Sequence, residues 1–312
     1  MRPYRPSGAM PGGSLWLLLI VALVSGLVLG GIMWAIDKYA SFYLVFVFPL
    51  AGGAIAGGIL ALVIKSTKMQ NPTMAVVVGL MAGVVMYGAY HGAFYYITFR
   101  NDYIRSEYSA SYPGKTPTEA QLDDFMNEGL MYRVQDTGFV GYLKYTASNG
   151  FSITSTTGSS SSSDLEIKDT GAFIYWGVEI LLASIVAAVI ARNAAKEPFD
   201  EATNTWFDSR HQVVALAPNK SRKALLRALQ EGQFQEAGAM LTQQQIKYPR
   251  IEVWTRRSSN PAAPDVMLLL KIVQRNKRAN NLKSGMVSVS ELDTILKAVD
   301  TEAMSNPVVS NL

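Results

Sequence analysis

Four stretches of the chain carry apolar side chains almost uninterrupted by charge. They run over about residues 15–36, 42–64, 74–98 and 171–191. Each reaches or exceeds the roughly 20 residues that a helix needs to cross a hydrocarbon core. Trp16 and Trp34 stand near the two ends of the first as interfacial anchors. Pro49 falls in the first half of the second, where a bundle tolerates a kink. The third carries no formal charge, and the first is too long for the roughly 7–15-residue core of a signal peptide, so it reads as a retained anchor. The pattern predicts a mainly α fold: a polytopic membrane protein with a four-helix transmembrane bundle spanning 14–98 and 171–191.

The pattern changes over 99–170, which is expected to form a small α+β insertion. Thr116-Pro117-Thr118-Glu119 combines a capping box with proline at the first helical position, predicting a helix from Pro117 to about Leu130. Tyr142–Thr146 and Phe151–Thr156 flank Ser148-Asn149-Gly150, the pattern of a β-hairpin. Thr154–Ser163 is too poor in apolar side chains to bury and reads as a linker.

From 192 to 312 a soluble helical domain is expected. Lys220–Gln230 and Gln233–Lys247 read as two helices, with Leu225, Leu226 and Leu229 facing Phe234, Ala237 and Leu241. Further helices are expected over Asp265–Asn276 and Val289–Val299. The last has Ser288 and Glu291 as a capping box and Val287 to staple onto Leu292. Residues 1–13 and 306–312 read as loose ends. The string ALLRALQEGQFQEAGAML resembles one tetratricopeptide unit in its small-residue and glycine placement. No second copy follows at the ~34-residue period, and stacking needs several, so the segment is read as an αα-hairpin with no function carried over.

Charge adds orientation. Residues 1–99 hold five basic side chains and one acid, Asp37, whereas 100–170 hold 6 basic and 10 acidic residues and 191–312 hold 17 and 12. Placing the amino terminus, Lys65, Lys68, Arg192 and Lys196 on the cytoplasmic side satisfies the positive-inside bias. Both termini are then cytoplasmic, the insertion faces outward, and a bacterial inner membrane is the expected location. The chain has no cysteine and only His91 and His211, which leaves no thiolate chemistry and no histidine cluster for a metal. No cofactor is expected. It contains no phosphate-binding loop, HExxH, GxSxG or dinucleotide fingerprint, so a non-enzymatic role is expected, with a membrane-embedded enzyme the third reading. The basic clusters Lys220/Arg222/Lys223/Arg227 and Arg275/Lys277/Arg278/Lys283 are interspersed with acids and suit anionic lipid headgroups better than nucleic acid.

Two features remain as candidate sites. Gly26/Gly30, Gly53/Gly57, Gly79/Gly83 and Gly88/Gly92 all have the GxxxG spacing that lets helix backbones approach, within this chain or in a homo-oligomer. Glu179 is a carboxyl within an apolar span, costly unless it faces a bundle interior. Counted from the outer ends at Thr98 and Ala172, His91 and Glu179 each lie seven residues inward, about 10 Å deep, which predicts a polar pair with Tyr87 and Tyr90 as possible network members. The leading functional expectation is a membrane scaffold or adaptor binding a protein partner through its cytoplasmic domain. The alternative is a small-molecule or ion transporter, or its accessory subunit, working through Glu179 and His91.

Overall fold

A computed structural model describes residues 1–40, 46–153, 165–208, 211–276 and 278–305. The expected start of the second helix at Phe42, the Ser-rich linker Thr154–Ser163 and the tail Asn306–Leu312 lie outside the described residues. The chain forms two compact units, one of residues 8–195 and one of residues 1–7 with 196–312.

The first unit contains α1 (Ser14–Ala40), α2 (Val47–Ser66), α3 (Pro72–Ala93), α4 (Arg105–Ser111), α5 (Glu119–Val134), α6 (Gly138–Asn149) and α7 (Thr170–Ala195). Between α3 and α4, Phe94–Ile104 takes the wider i→i+5 winding, so Pro72–Ser111 is one continuous 40-residue helix. This helix, α1, α2 and α7 are each long and apolar enough to cross a membrane. α3 packs against both α1 and α7, and α2 against α7. Pro49 sits in the first turn of α2, where its missing N–H leaves no helical bond unmade, so it needs no kink.

Small side chains decide how closely these helices meet. Gly26 and Gly30 of α1 lie against α3; Gly53 and Gly57 of α2 and Gly79 and Gly83 of α3 lie against α7. A Cβ on Gly30 would fall 2.2 Å from the Met86 carbonyl oxygen, and one on Gly53 would fall 2.4 Å from that of Ala183. Each helix backbone thus occupies the space a side chain would need. The α7 surface they meet is itself small: Ala183, Ser184, Ala187 and Ala188. Gly88 and Gly92 do not share this role within the chain: among the described residues nothing lies within 4 Å of where their Cβ atoms would be.

The insertion departs from its sequence reading in two ways. The cap of α5 is Thr118, which accepts from Gln121 N–H at 3.3 Å while Gln121 Oε1 accepts from Thr118 N–H at 3.0 Å. That is two residues later than the expected cap and leaves Glu119 free for ion pairs. The hairpin over Tyr142–Thr146 and Phe151–Thr156 is not formed. Tyr142–Thr146 lies inside α6, and Gly150, at φ 72°, follows the end of that helix. Asn-Gly marks a helix end as readily as a turn. Strand β1 (Phe151–Ile153) pairs instead with β2 (Leu165–Ile167). A core of Tyr95, Phe99, Tyr108, Leu122, Met126 and Tyr142 holds this part of the unit together.

In the second unit the helical expectation is overturned. Beside β3 (Phe199–Asp200) and β4 (Thr205–Trp206), it holds an antiparallel sheet of β5 (Gln212–Pro218), β6 (Arg250–Arg257), β7 (Asp265–Val273) and β8 (Ala279–Ser288) in that order. Helices α8 (Arg222–Glu231), α9 (Phe234–Ala239) and α10 (Val289–Ser305) complete it. Asp265–Asn276, expected as a helix, is largely β7, a central strand paired on both sides. Its apolar run Val266–Val273 does not distinguish a buried strand from a buried helix by periodicity. The expected helix Gln233–Lys247 stops at Ala239, because Thr242 turns back to exchange backbone hydrogen bonds with Leu216. Leu225, Leu229, Ile295 and Val299 of the helices pack on Ala215, Val253, Leu268 and Leu270 of one sheet face. Residues 1–13 are not simply loose. Arg2 exchanges backbone bonds with Met286 on the edge strand β8 and its guanidinium pairs with Asp265 at 2.8 Å. Backbone pairing of this kind leaves no pattern in the side chains.

Candidate functional site: a carboxylate and tyrosine belt

α7 carries Glu179 into the bundle, where it is 1% exposed. Tyr175, one turn earlier on the same helix, donates its hydroxyl to Glu179 Oε1 at 2.6 Å. Tyr87 of α3 donates its hydroxyl to the other oxygen, Oε2. The third donor is backbone: the N–H of Phe46 lies 3.5 Å from Oε1. Phe46 precedes α2 and has φ 62°, a left-handed conformation uncommon for a bulky residue. The carboxylate therefore sits at the amino-terminal, electropositive end of α2. One side chain joins three helices.

His91 is placed differently from the expectation. It makes no hydrogen bond to Glu179, and its buried Nε2 has no partner among the described residues. Its ring is packed among Tyr87 (5.0 Å between centroids), Tyr90 (5.1 Å) and Trp176 (5.1 Å). His91 lies one helical turn, about 5.4 Å, from the level of Glu179. The ends at Thr98 and Ala172 are not the ends of the helices, since the third helix runs on to Ser111 and α7 begins at Thr170. In the antiparallel pair, Tyr87 is level with Glu179, and His91 is level with Trp176.

Tyr90 joins a different acid. Its hydroxyl donates to Asp37 Oδ2 at 2.6 Å. Asp37 lies just beyond the first apolar stretch, which ends at about residue 36, but α1 continues to Ala40 and carries it into the belt. A signal existed, since Asp37 is the one acid among the first 99 residues. The Tyr87 and Tyr90 rings lie 5.6 Å apart, so the two carboxylate–tyrosine pairs adjoin. Around them Trp34 donates to Thr98 Oγ1 at 3.0 Å and Lys38 pairs with Asp102 at 2.5 Å.

Chemically this is a set of hydroxyl donors aimed at carboxylate acceptors. It can fix helix register, and a hydroxyl hydrogen-bonded to a carboxylate can exchange a proton with it. Among the described residues no three His, Asp or Glu side chains converge as metal ligands. The four glycines of α2 and α3 at helix contacts belong to the packing of the bundle, separate from this belt. No protein-family model, no curated protein and no solved structure matches this chain, so its function is argued from this geometry alone.

Proposed function

We propose that the chain is a polytopic membrane scaffold or adaptor, in which the bundle anchors the α+β unit of residues 196–312 for binding a protein partner. The bundle's outer surface supports the membrane part: Ile20, Leu27, Leu62, Val84, Leu181 and Ile185 are all exposed. Soluble monomers rarely expose an apolar surface of that extent. With the positive-inside bias, both termini lie in the cytoplasm of a bacterial cell and the 99–170 insertion lies outside.

The observation that carries the binding role is the sheet face opposite the helices. Val213, Trp254 and Leu269 are direct cross-strand neighbours on it. Val213 is 41% exposed, Trp254 and Leu269 are half-buried, and Lys271 holds its ammonium 4.7 Å from the Trp254 ring. An aromatic anchor with aliphatic neighbours and a flanking cation has the composition of an interface core. Full-length protein purified in mild detergent should retain a stoichiometric partner that is lost in Trp254→Ala and Leu269→Glu while circular dichroism is unchanged. Retention in both variants overturns the assignment of that face.

A second reading, proton or ion movement, is favoured by one observation: the buried, unpartnered Nε2 of His91 beside two adjoining carboxylate–tyrosine pairs. Proteoliposomes containing a pH-sensitive dye test it. Flux in the wild type that vanishes in Glu179→Gln favours the pathway, and no flux in either favours the scaffold.

A further inference from the structure

The insertion holds a cavity of about 200 Å³ between the continuation of the third helix, α5 and α6. Its walls are aromatic. Phe99 and Tyr103 stack at 5.8 Å with planes 20° apart, Phe99 and Tyr145 lie 5.5 Å apart, and Phe125 closes another side. The charged groups in the lining are Glu107, Glu128 and Arg133. Arg133 is held against Tyr145, its guanidinium carbon 5.4 Å from the ring centroid and its Nη1 donating to the hydroxyl at 3.1 Å. Glu107 accepts from Tyr103 at 2.7 Å, which orients that ring, and pairs with no cation among the described residues. Nor does Glu128. The lining thus has two carboxylates to one base, and its base is already engaged.

We propose that this cavity binds a small organic ammonium ion, quaternary or methylated, a role independent of the partner-binding reading above. Aromatic faces attract a cation through the ring quadrupole and suit a weakly hydrated quaternary ammonium group best. Arg133 on Tyr145 shows that one wall already accepts such a contact. The carboxylates of Glu107 and Glu128 supply the charge that selects a cation over a neutral molecule of the same shape. The volume lies below the roughly 300–1,000 Å³ of pockets for drug-sized ligands, which limits the ligand to a compact head. The same ammonium chemistry is presented by free choline and by a phosphatidylcholine headgroup.

Calorimetric titration of the full-length protein in phosphatidylglycerol nanodiscs separates these cases. Choline chloride should bind, and its neutral carbon isostere, dimethylbutanol, should bind at least roughly tenfold more weakly. Glu128→Gln, an exposed change that leaves helical circular dichroism intact, should weaken choline by a similar factor. Tyr103→Leu should weaken choline more than it weakens the isostere. If doping the nanodiscs with phosphatidylcholine suppresses choline binding, the lipid headgroup is the source; if it does not, free choline is. Equal binding of choline and the isostere, tighter binding of the zwitterion glycine betaine than of choline, or no choline binding at tens of millimolar each overturns the proposal.

Discussion

At the residue scale, Glu179 and His91 show opposite economies. Glu179 has its oxygens occupied by Tyr87, Tyr175 and the Phe46 amide, whereas the His91 Nε2 is buried without a partner. Orphaning a buried acceptor costs about 1–3 kcal/mol, while replacing an already unpaired polar group by an apolar one of similar shape is nearly neutral or favourable. Tyr87→Phe is therefore expected to destabilise the bundle by about 1–3 kcal/mol. His91→Leu should leave stability unchanged or raise it, and in combination with Glu179→Ala it should recover none of the loss. Unfolding in mixed micelles measures all three. A large cost for His91→Leu would mean that this ring, and not the tyrosine pair, fixes the helices.

At the element scale, the bundle is limited by how closely its backbones approach. Gly30→Ala puts a methyl where the Met86 carbonyl stands, so α1 must move away from α3. Overpacking of this kind costs about 1–3 kcal/mol. The matching change Gly88→Ala, which meets open space within the chain, should cost little, and the two are compared in the same unfolding assay. The insertion is tied by charge instead. Arg100 reaches Glu119 at 2.7 Å and Asp123 at 2.6 Å, and Arg105 reaches Glu119 at 2.9 Å. Hydrogen bonds from Arg100 and Arg105 hold the Glu119 carboxyl below its usual range. Such a carboxyl stabilises the folded form above its unfolded pKa, about 4.3, and the contribution is lost as pH falls through the lowered folded value. Amide protection in α5, taken relative to the intrinsic exchange rate at each pH, should therefore fall below about pH 4.3 in the wild type. Glu119→Gln should flatten that fall and show lower protection already at neutral pH.

At the scale of the whole molecule, the proposed topology places residues 99–170 on one side of a membrane and both termini on the other. The absence of native cysteine makes single introduced thiols unambiguous reporters. Ser111, at the end of α4, and Asn280, on β8, are both exposed. An impermeant maleimide applied to intact cells should label Ser111→Cys and spare Asn280→Cys until the membrane is opened. The reverse pattern would invert the topology, and labelling of both from outside would change the number of crossings.

The long apolar helices were legible in the sequence because twenty or more apolar residues in a row admit few other structures. The α10 cap was legible because Ser288 and Glu291 act locally; each bonds the other's backbone N–H, at 3.2 and 2.6 Å. The strands were harder. In β6 the alternation of Ile251, Val253 and Thr255 with Glu252, Trp254 and Arg256 is a period-two signal, whereas the apolar run of β7 carries no such period in sequence. Its pairing on both sides, with β6 and β8, is what makes β7 a strand, just as backbone pairing with Met286 sets Arg2 beside β8. The candidate site divides in the same way. That Glu179 needs partners follows from the cost of burying a carboxylate. Which partners it takes depends on the register of antiparallel helices, where a shift of a few residues exchanges His91 for Tyr87. That register is decided by the glycines and alanines at the helix crossings, through contacts between residues a hundred positions apart, and so belongs to the tertiary structure alone.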